Sequence, residues 1–458
     1  MPDRSVLSAV RGKLANVVLG LAFLVVLGLP VVFRPAKPAR TGERELVVLS
    51  VHTETIRYEF ERAFSQWTAE TRGHTVRVDW LDVGGTNQAV KYVEDRFEKQ
   101  PDGIGIDLFF GGGTDPFLRF SEEGLLARCD VPAEVLAPIP QHVAGTELYD
   151  GDRKWFGTCL AGFGLMYNKA VLEFLDMPQP QTWADLGRPG YFTWIASADP
   201  RLSGSIAMVY EIILQAYGWD EGWRHVMRIG ANCRAFSREA SQVPADVAIG
   251  EAACGMAIDF YAQRAVFEAG ADRLGFLLPR PLTVVNPDCI AMLKGAPHRE
   301  LAELFIQFLL TERAQKLWML RAGAPGGPRE FQLYRLPVIP GLVERYASEA
   351  VVEVDPFAFA GSLEFDLRKK DARRYIMSDL FGALIIDNHD ELAAAWNAVR
   401  NLPDNDPRMR ELLAPPVAEA ELMQLAVTKW REPRFRADTI ARWSADARAK
   451  YKRLAEAN

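Results

Sequence analysis

The sequence predicts an α/β protein: a largely parallel sheet flanked by helices, its mass divided between two lobes. Three observations carry this. The chain has 458 residues, more than a single hydrophobic core organises. Buried-strand runs alternate with amphipathic helix patterns in the order β-α-β-α-β, which is the signature of a parallel sheet. And wherever a strand passes into a helix, the turn is built of small polar residues.

The elements follow in order. "LANVVLGLAFLVVLGLPVVF", residues 14–33, carries no charge and is long enough to span a bilayer at about 1.5 Å per residue. Arg4, Arg11 and Lys13 precede it. A cleaved signal has a shorter apolar core and a small-residue cleavage site. Here the run is long, and "RPAKPARTGERE" offers only Ala36 and Ala39 between prolines. The expectation is an uncleaved transmembrane anchor, with a cleaved signal as the other reading. Basic residues also follow the span, so charge leaves its orientation open, and an export role puts the body outside.

After a polar linker, "ELVVLSV" (45–51) reads as a buried strand and "IRYEFERAFSQWTAET" as a helix with apolar Ile56, Phe60, Phe64 and Trp67. "TVRVDWLDV" (75–83) is the next strand, and "GGTNQAVKYVEDRFEK" turns into a helix. "IDLFF" (106–110) is the third strand. In "GGGTDPFLRFSEEGLL" behind it, Thr114 or Asp115 can cap a helix with Pro116 at its first position. Further on, "FGLMYN" (163–168) is a strand, "GWDEGWRHVMRIG" an amphipathic helix, and "CGMAID" a short strand between helices. "RLGFLLP" and "DCIAMLKGA" are strands, and "RELAELFIQFLLTERAQKLW" (299–318) is helical. The expected organisation is a tail at 1–13, the anchor at 14–33 and a linker at 34–44. The first part of lobe 1 is expected at 45–155, lobe 2 at 156–280, the lobe 1 return with the hinge at 281–340, and a helical extension at 341–458.

Composition narrows the function classes. A net charge of −7 with no Lys/Arg cluster speaks against a nucleic-acid partner. Cysteines 129, 159, 233, 254 and 289 form no C-x-x-C, so zinc and thioredoxin-like motifs are disfavoured. They read as buried small hydrophobes, and export would leave room for one disulfide. Neither "GGGT" nor "GIGID" matches a dinucleotide fingerprint, and no P-loop is present, so no nucleotide cofactor is expected. Six histidines occur without a nucleophile elbow, an H-E-x-x-H or a Cys/His signature, so an enzyme is not expected.

The turns are the candidate site. "SGS" at 203–205 opens a helix through Ile206, Val209, Ile213 and Tyr217. One serine suffices to cap it; two around a glycine also suit an anion at free helix N–H groups. Similar turns stand at 52–55, 84–86 and 111–114. In open α/β sheets, ligands lie beyond the carboxyl ends of the strands, so such loops can line one crevice.

The ordered set "FGLMYNKAVL", "PQTWADL", "ADPRLSGS", "VAIGEAACGMAIDFYA" and "AMLKGAPHRELAELFIQFLLTERAQ" resembles the extracellular solute-binding proteins of ABC importers, in the branch for ferric iron, phosphonates, sugar phosphates, thiamine or polyamines. The resemblance runs over residues 46–340. It implies a periplasmic-binding-protein-like (type II) fold: two α/β lobes around a hinge crossed twice, by the "GLMYN" strand and near "VVNPDCIAML". It places ligand contacts at His52, Thr53, Gly85, Thr86, Gly113 and Thr114 in the first lobe, and at Ser203, Gly204, Ser205, Asp259 and Tyr261 in the second. It implies an extracytoplasmic (periplasmic-face) binding protein that delivers a small ligand to ABC permease subunits; the span at 14–33 makes it membrane-associated, and no cofactor is expected. Ferric binders of this family often show adjacent tyrosines, where this chain has Phe260-Tyr261. One phenolate is a poor set for Fe³⁺, although His52 and Glu54 could add ligands. That favours a phosphonate- or phosphate-like organic anion over iron. The alternative is a ligand-sensing receptor subunit that signals to a membrane partner.

Overall fold

The computed structural model describes residues 44–143, 146–279, 281–352, 355–359 and 363–456. The anchor expected at 14–33 lies outside these residues. Among the described residues no helix is long and apolar enough to cross a membrane.

The first elements are β1 (Arg44–Ser50), α1 (Glu54–Arg72), β2 (Val76–Leu81), α2 (Thr86–Lys99), β3 (Leu108–Phe110), α3 (Asp115–Glu122), β4 (Leu126–Ala127), α4 (Ala133–Leu136), β5 (His142–Val143) and β6 (Thr146–Glu147). Then come β7 (Trp155–Asn168), α5 (Lys169–Phe174), β8 (Ile195–Ala198), α6 (Gly204–Tyr217), α7 (Trp219–Asn232), β9 (Cys233–Ser237), α8 (Gln242–Ala248), β10 (Cys254–Ile258), α9 (Asp259–Ala269), β11 (Leu274–Leu277) and β12 (Val285–Leu293). Helices follow: α10 (Arg299–Leu309), α11 (Glu312–Met319), α12 (Leu342–Arg345), α13 (Leu367–Phe381), α14 (His389–Val399), α15 (Pro407–Leu413), α16 (Glu419–Thr428) and α17 (Pro433–Glu456).

The main sheet runs β2-β1-β3-β12-β7-β10-β8-β9, with β11 on β7 and β4 on β12. β1 and β3 pair in parallel, as do β8 with β9 and β10, while β7 and β12 run antiparallel to their neighbours. Apolar residues on both faces make the first-lobe strands buried. Leu46, Val48, Leu108 and Phe110 point to a core shared with α1, α10 and α11, and Leu49 and Phe109 point to a second core under α2 and α3. The other lobe has its own core around α6 and α7.

β7 is the bridge between lobes. Trp155 to Gly162 pair with β12, and Phe163 to Tyr167 pair with β10. The chain returns to the first lobe between β11 and β12, where Val284 belongs to one core and Val285 to the other. Beyond the two expected crossings there is a third: Val352 packs in the first lobe, and Leu363 packs against the second. The cause is the C-terminal extension, whose Ile376, Leu380, Trp396, Leu412 and Tyr451 complete the second lobe's core. All five cysteines are buried and unpaired.

Candidate functional site

The sheet's carboxyl-end loops from both lobes meet in a cleft of about 730 Å³, in the range of small-molecule sites. His52, Gly85, Thr86, Gly113, Thr114, Ser203, Gly204, Ser205 and Tyr261 all line it. Two expected contacts do not. Thr53 is exposed at the start of α1, where its hydroxyl pairs with that of Thr55 at 2.9 Å. Asp259 is wholly buried behind the cleft, accepting from the Gly162 N–H at 2.8 Å and from the Phe260 N–H at 2.7 Å. A carboxylate at a helix start satisfies local donors first, and here one of those donors belongs to the hinge strand. Burial pushes the Asp259 carboxyl up to about 7, against the opposing pull of these N–H groups and Arg335.

The third loop is set by its glycines. Gly111, Gly112 and Gly113 have φ of +95°, +96° and +79°, which side chains other than glycine rarely adopt. A Cβ on Gly112 would stand 2.9 Å from the Thr86 methyl. The loop's N–H groups, expected to hold ligand, are used inside the protein: Gly113 N–H donates to Asp288 Oδ1 at 2.9 Å. Thr114 does not cap α3 with its side chain; its hydroxyl donates to Asn286 Oδ1 at 3.0 Å. Pro116 is the second residue of α3, not the first. A β-bulge between Asp288 and Cys289 in the β12–β7 ladder locates Asp288, and bulges commonly re-aim side chains beside sites.

Asp288 organises the cleft floor. Arg335 Nη1 stands 3.3 Å from its Oδ2, and His52 Nε2 stands 3.8 Å away. The Arg335 guanidinium also stacks 3.5 Å over the Phe260 ring centroid. Burial alone would raise the Asp288 carboxyl, but His52, Arg335 and the N–H groups of Gly113 and Gly112 hold it below the usual carboxylate range. Burial drives His52 down to about 4, so its ring is neutral at physiological pH. The pairing of His52 with Glu54 toward a metal is not realised, since Glu54 is exposed on α1 while His52 faces Asp288. Among the described residues no group of three or more His, Cys, Asp or Glu side chains is placed to hold a metal ion.

In the second lobe Ser203 is the N-cap of α6, its Oγ accepting from Ile206 N–H at 3.3 Å. The Ser205 hydroxyl lies 3.3 Å from that of Ser203, and a Cβ on Gly204 would meet no atom within 4 Å. The N–H groups of Gly204 and Ser205 are first-turn groups without an i−4 carbonyl, and the helix dipole adds positive potential there.

Most of the cleft's charge lies on residues outside the small polar turns. Arg201, Arg238, Arg335, Lys370 and Arg374 line the cleft against Asp115, Glu239 and Asp288, five cations to three carboxylates in a chain of net charge −7. Arg201 is held by Asp199 at 2.7 Å and Asp387 at 2.9 Å. Arg238 makes no hydrogen bond or ion pair among the described residues. The available signal was a charged residue inside an apolar run, as with Asp288 in "VVNPDCIAML" and Arg335 in "LYRLPVIP".

Two α/β lobes bridged by a shared strand around a polar, ligand-sized cleft define a solute-binding protein. Residues 103–335, about half of the chain, match the family described as bacterial extracellular solute-binding proteins, and the chain belongs to that family. The family is one of binding proteins of ABC transport rather than enzymes, and an extracytoplasmic location fits it. The phosphoglycerate transport regulatory protein PgtC of Salmonella typhimurium is 26% identical over 213 residues, 46% of this chain and 51% of that protein. An uncharacterized protein of Haemophilus influenzae is 24% identical over 214 residues, 46% of this chain and 60% of that one. The chain thus spans about half the length of the curated relatives it matches. Among solved structures, the periplasmic binding protein AfuA of Actinobacillus pleuropneumoniae, with fructose-6-phosphate bound, has a TM-score of 0.56 at 19% identity. That match covers 79% of this chain and all of AfuA, 100%. The apo ferric ion-binding protein A of Pasteurella haemolytica has a TM-score of 0.54 at 15% identity over 72% of this chain and 97% of its own. These likenesses are of fold.

Proposed function

We propose that this chain captures a small phosphorylated or phosphonylated organic anion between its lobes and delivers it to an ABC permease. The observation that carries the reading is the clustering of five cations along the cleft of an acidic protein, against three carboxylates in its lining and with Asp199, Asp387 and Asp371 paired to Arg201 and Arg374. Ser205, Thr86 and the first N–H groups of α6 supply the hydrogen bonds an anionic oxygen needs. The likeness to a phosphoglycerate transport regulatory protein supports that ligand class, while the fold is shared by a sugar-phosphate binder and a ferric ion-binding protein alike. The span at 14–33 holds the protein to the membrane, with residues 46–458 outside.

The regulatory description of PgtC favours a second reading, in which the loaded protein reports ligand to a membrane signalling partner instead of feeding a permease. Equilibrium dialysis against phosphate, phosphonates, sugar phosphates, phosphoglycerate, Fe³⁺, thiamine and polyamines tests the ligand class. Saturable binding of phosphate esters is expected, and binding confined to iron or polyamines would overturn it. Mass analysis of the native protein tests the anchor, which an N-terminus near residue 37–41 would defeat.

A further inference from the structure

Helix α13 lies outside the segment that matches the family, yet it walls the cleft. Its Lys370 and Arg374, one turn apart, line the same cavity as Ser203 and Ser205. Its other face is fixed: Ile376, Met377, Leu380 and Phe381 lie in the second lobe's core. Between the two faces Arg373, wholly buried, donates from Nη2 and Nε to Glu211 at 2.6 and 3.2 Å. Glu211 lies on α6, the helix that the Ser-Gly-Ser turn opens. A desolvated, bidentate pair of this kind fixes geometry, so Lys370 and the start of α6 form one rigid body.

Lys370 itself reaches across the cleft. Its ammonium is paired with Asp115, the first residue of α3 and the second after Gly113, in the opposite lobe. The Asp115 carboxylate thus occupies a helix N-terminus where an anionic group is favoured, and it neutralises the one lysine the extension brings to the cleft. An acidic side chain of lobe 1 thus stands in front of Lys370, in the place an anionic substituent could take.

Resting on the reading of the cleft as an anion site, we infer that Lys370, backed by Arg374, is a specificity-determining residue that receives the second anionic group of a doubly anionic ligand, exchanging Asp115 for it. The ligand class is a small organic acid with a phosphoryl group and a carboxylate. The phosphoryl group is held at the start of α6 and the carboxylate by Lys370. A ligand with one anionic group fills the first position and leaves Lys370 on Asp115.

Calorimetric titration of the full chain with phosphoglycerate and with glycerol phosphate, which lacks the carboxylate, tests this. The parent binds phosphoglycerate more tightly. Lys370→Ala weakens phosphoglycerate roughly ten- to a hundredfold and glycerol phosphate by far less, and Lys370→Arg restores most of the loss. Asp115→Asn acts in the opposite direction, tightening phosphoglycerate several-fold, because Lys370 no longer has a carboxylate to leave. A merely structural ion pair makes both variants act alike, lowering melting temperature and weakening both probes equally. That outcome, or an unchanged Lys370→Ala, overturns the inference while leaving the anion site standing. A parent that binds neither probe overturns both. Lys370→Gln, which keeps the side-chain stem, replaces alanine if the alanine variant does not fold.

Discussion

Replacing Ser203 and Ser205 one at a time separates capping from binding. Ser203 is buried and its hydroxyl satisfies the Ile206 N–H at 3.3 Å, so it closes the first turn of α6. Losing such a cap costs about 1 kcal/mol, within a range of roughly 0.5–2. Ser205 lies one residue inside the helix, half-buried in the cleft wall, and caps nothing. Alanine there is at least as good a helix former, so Ser205→Ala leaves stability near the parent value. What it removes is a donor to an anion, worth about 1.5–3 kcal/mol, or roughly ten- to a hundredfold in Kd. Urea unfolding followed by circular dichroism reads the first effect, and calorimetry with phosphoglycerate reads the second. Gly204→Val completes the series: a Cβ there meets no protein atom within 4 Å, so the fold accepts it while the branched side chain blocks the approach to the helix N–H groups. If both serine variants bind like the parent and only stability falls, the turn is a cap and the anion site lies elsewhere.

The remaining predictions concern closure, charge and thiols. Small-angle scattering should show the chain compacting when phosphoglycerate bridges the lobes, and an unchanged radius at saturation would count against lobe closure. Burial lowers the His52 pKa from 6.5 to about 4, so the folded state holds fewer protons across that window and stability rises with pH there. Burial raises Asp259 from 3.8 to about 7, which gives the opposite slope from pH 4 to 7. Urea midpoints against pH should therefore climb more steeply from pH 4 to 6.5 in Asp259→Asn than in the parent, and less steeply in His52→Gln; parallel curves would refute both assignments. Arg373→Met leaves Glu211 buried with only the Gln215 amide and no cation, and should cost about 3–5 kcal/mol of stability by urea unfolding. The five buried thiols, each with its pKa raised by burial, should resist a thiol reagent until the chain unfolds.

The early strands and helices were legible because their signals are local. Val47, Val48 and Leu49 make a continuous apolar run, and each small polar turn marks a helix start. The strand pattern of β7 is legible only over its second half. Glycines 157 and 162 break the apolar pattern of its first half, and Gly157 is there because a Cβ would come within 2.9 Å of the Leu148 carbonyl oxygen. The same limit governs the site. Ser203, Gly204 and Ser205 announce themselves at a helix start, whereas Asp288, Arg335 and Lys370 reach the cleft from 85, 132 and 167 residues beyond Ser203 in the chain, through β12 pairing and the packing of the extension. No periodicity encodes such a meeting. Asp259 shows the converse error: a carboxylate that looks presented to ligand turns inward to the Gly162 N–H of the hinge strand.

The central claim is that the cleft takes a small anion, and titration calorimetry of the chain with phosphoglycerate tests it most directly. The account predicts one saturable site per chain, weakened by added salt and by Ser205→Ala. No heat from any phosphate ester or phosphonate, with saturable binding of a polyamine to the same chain, would contradict it.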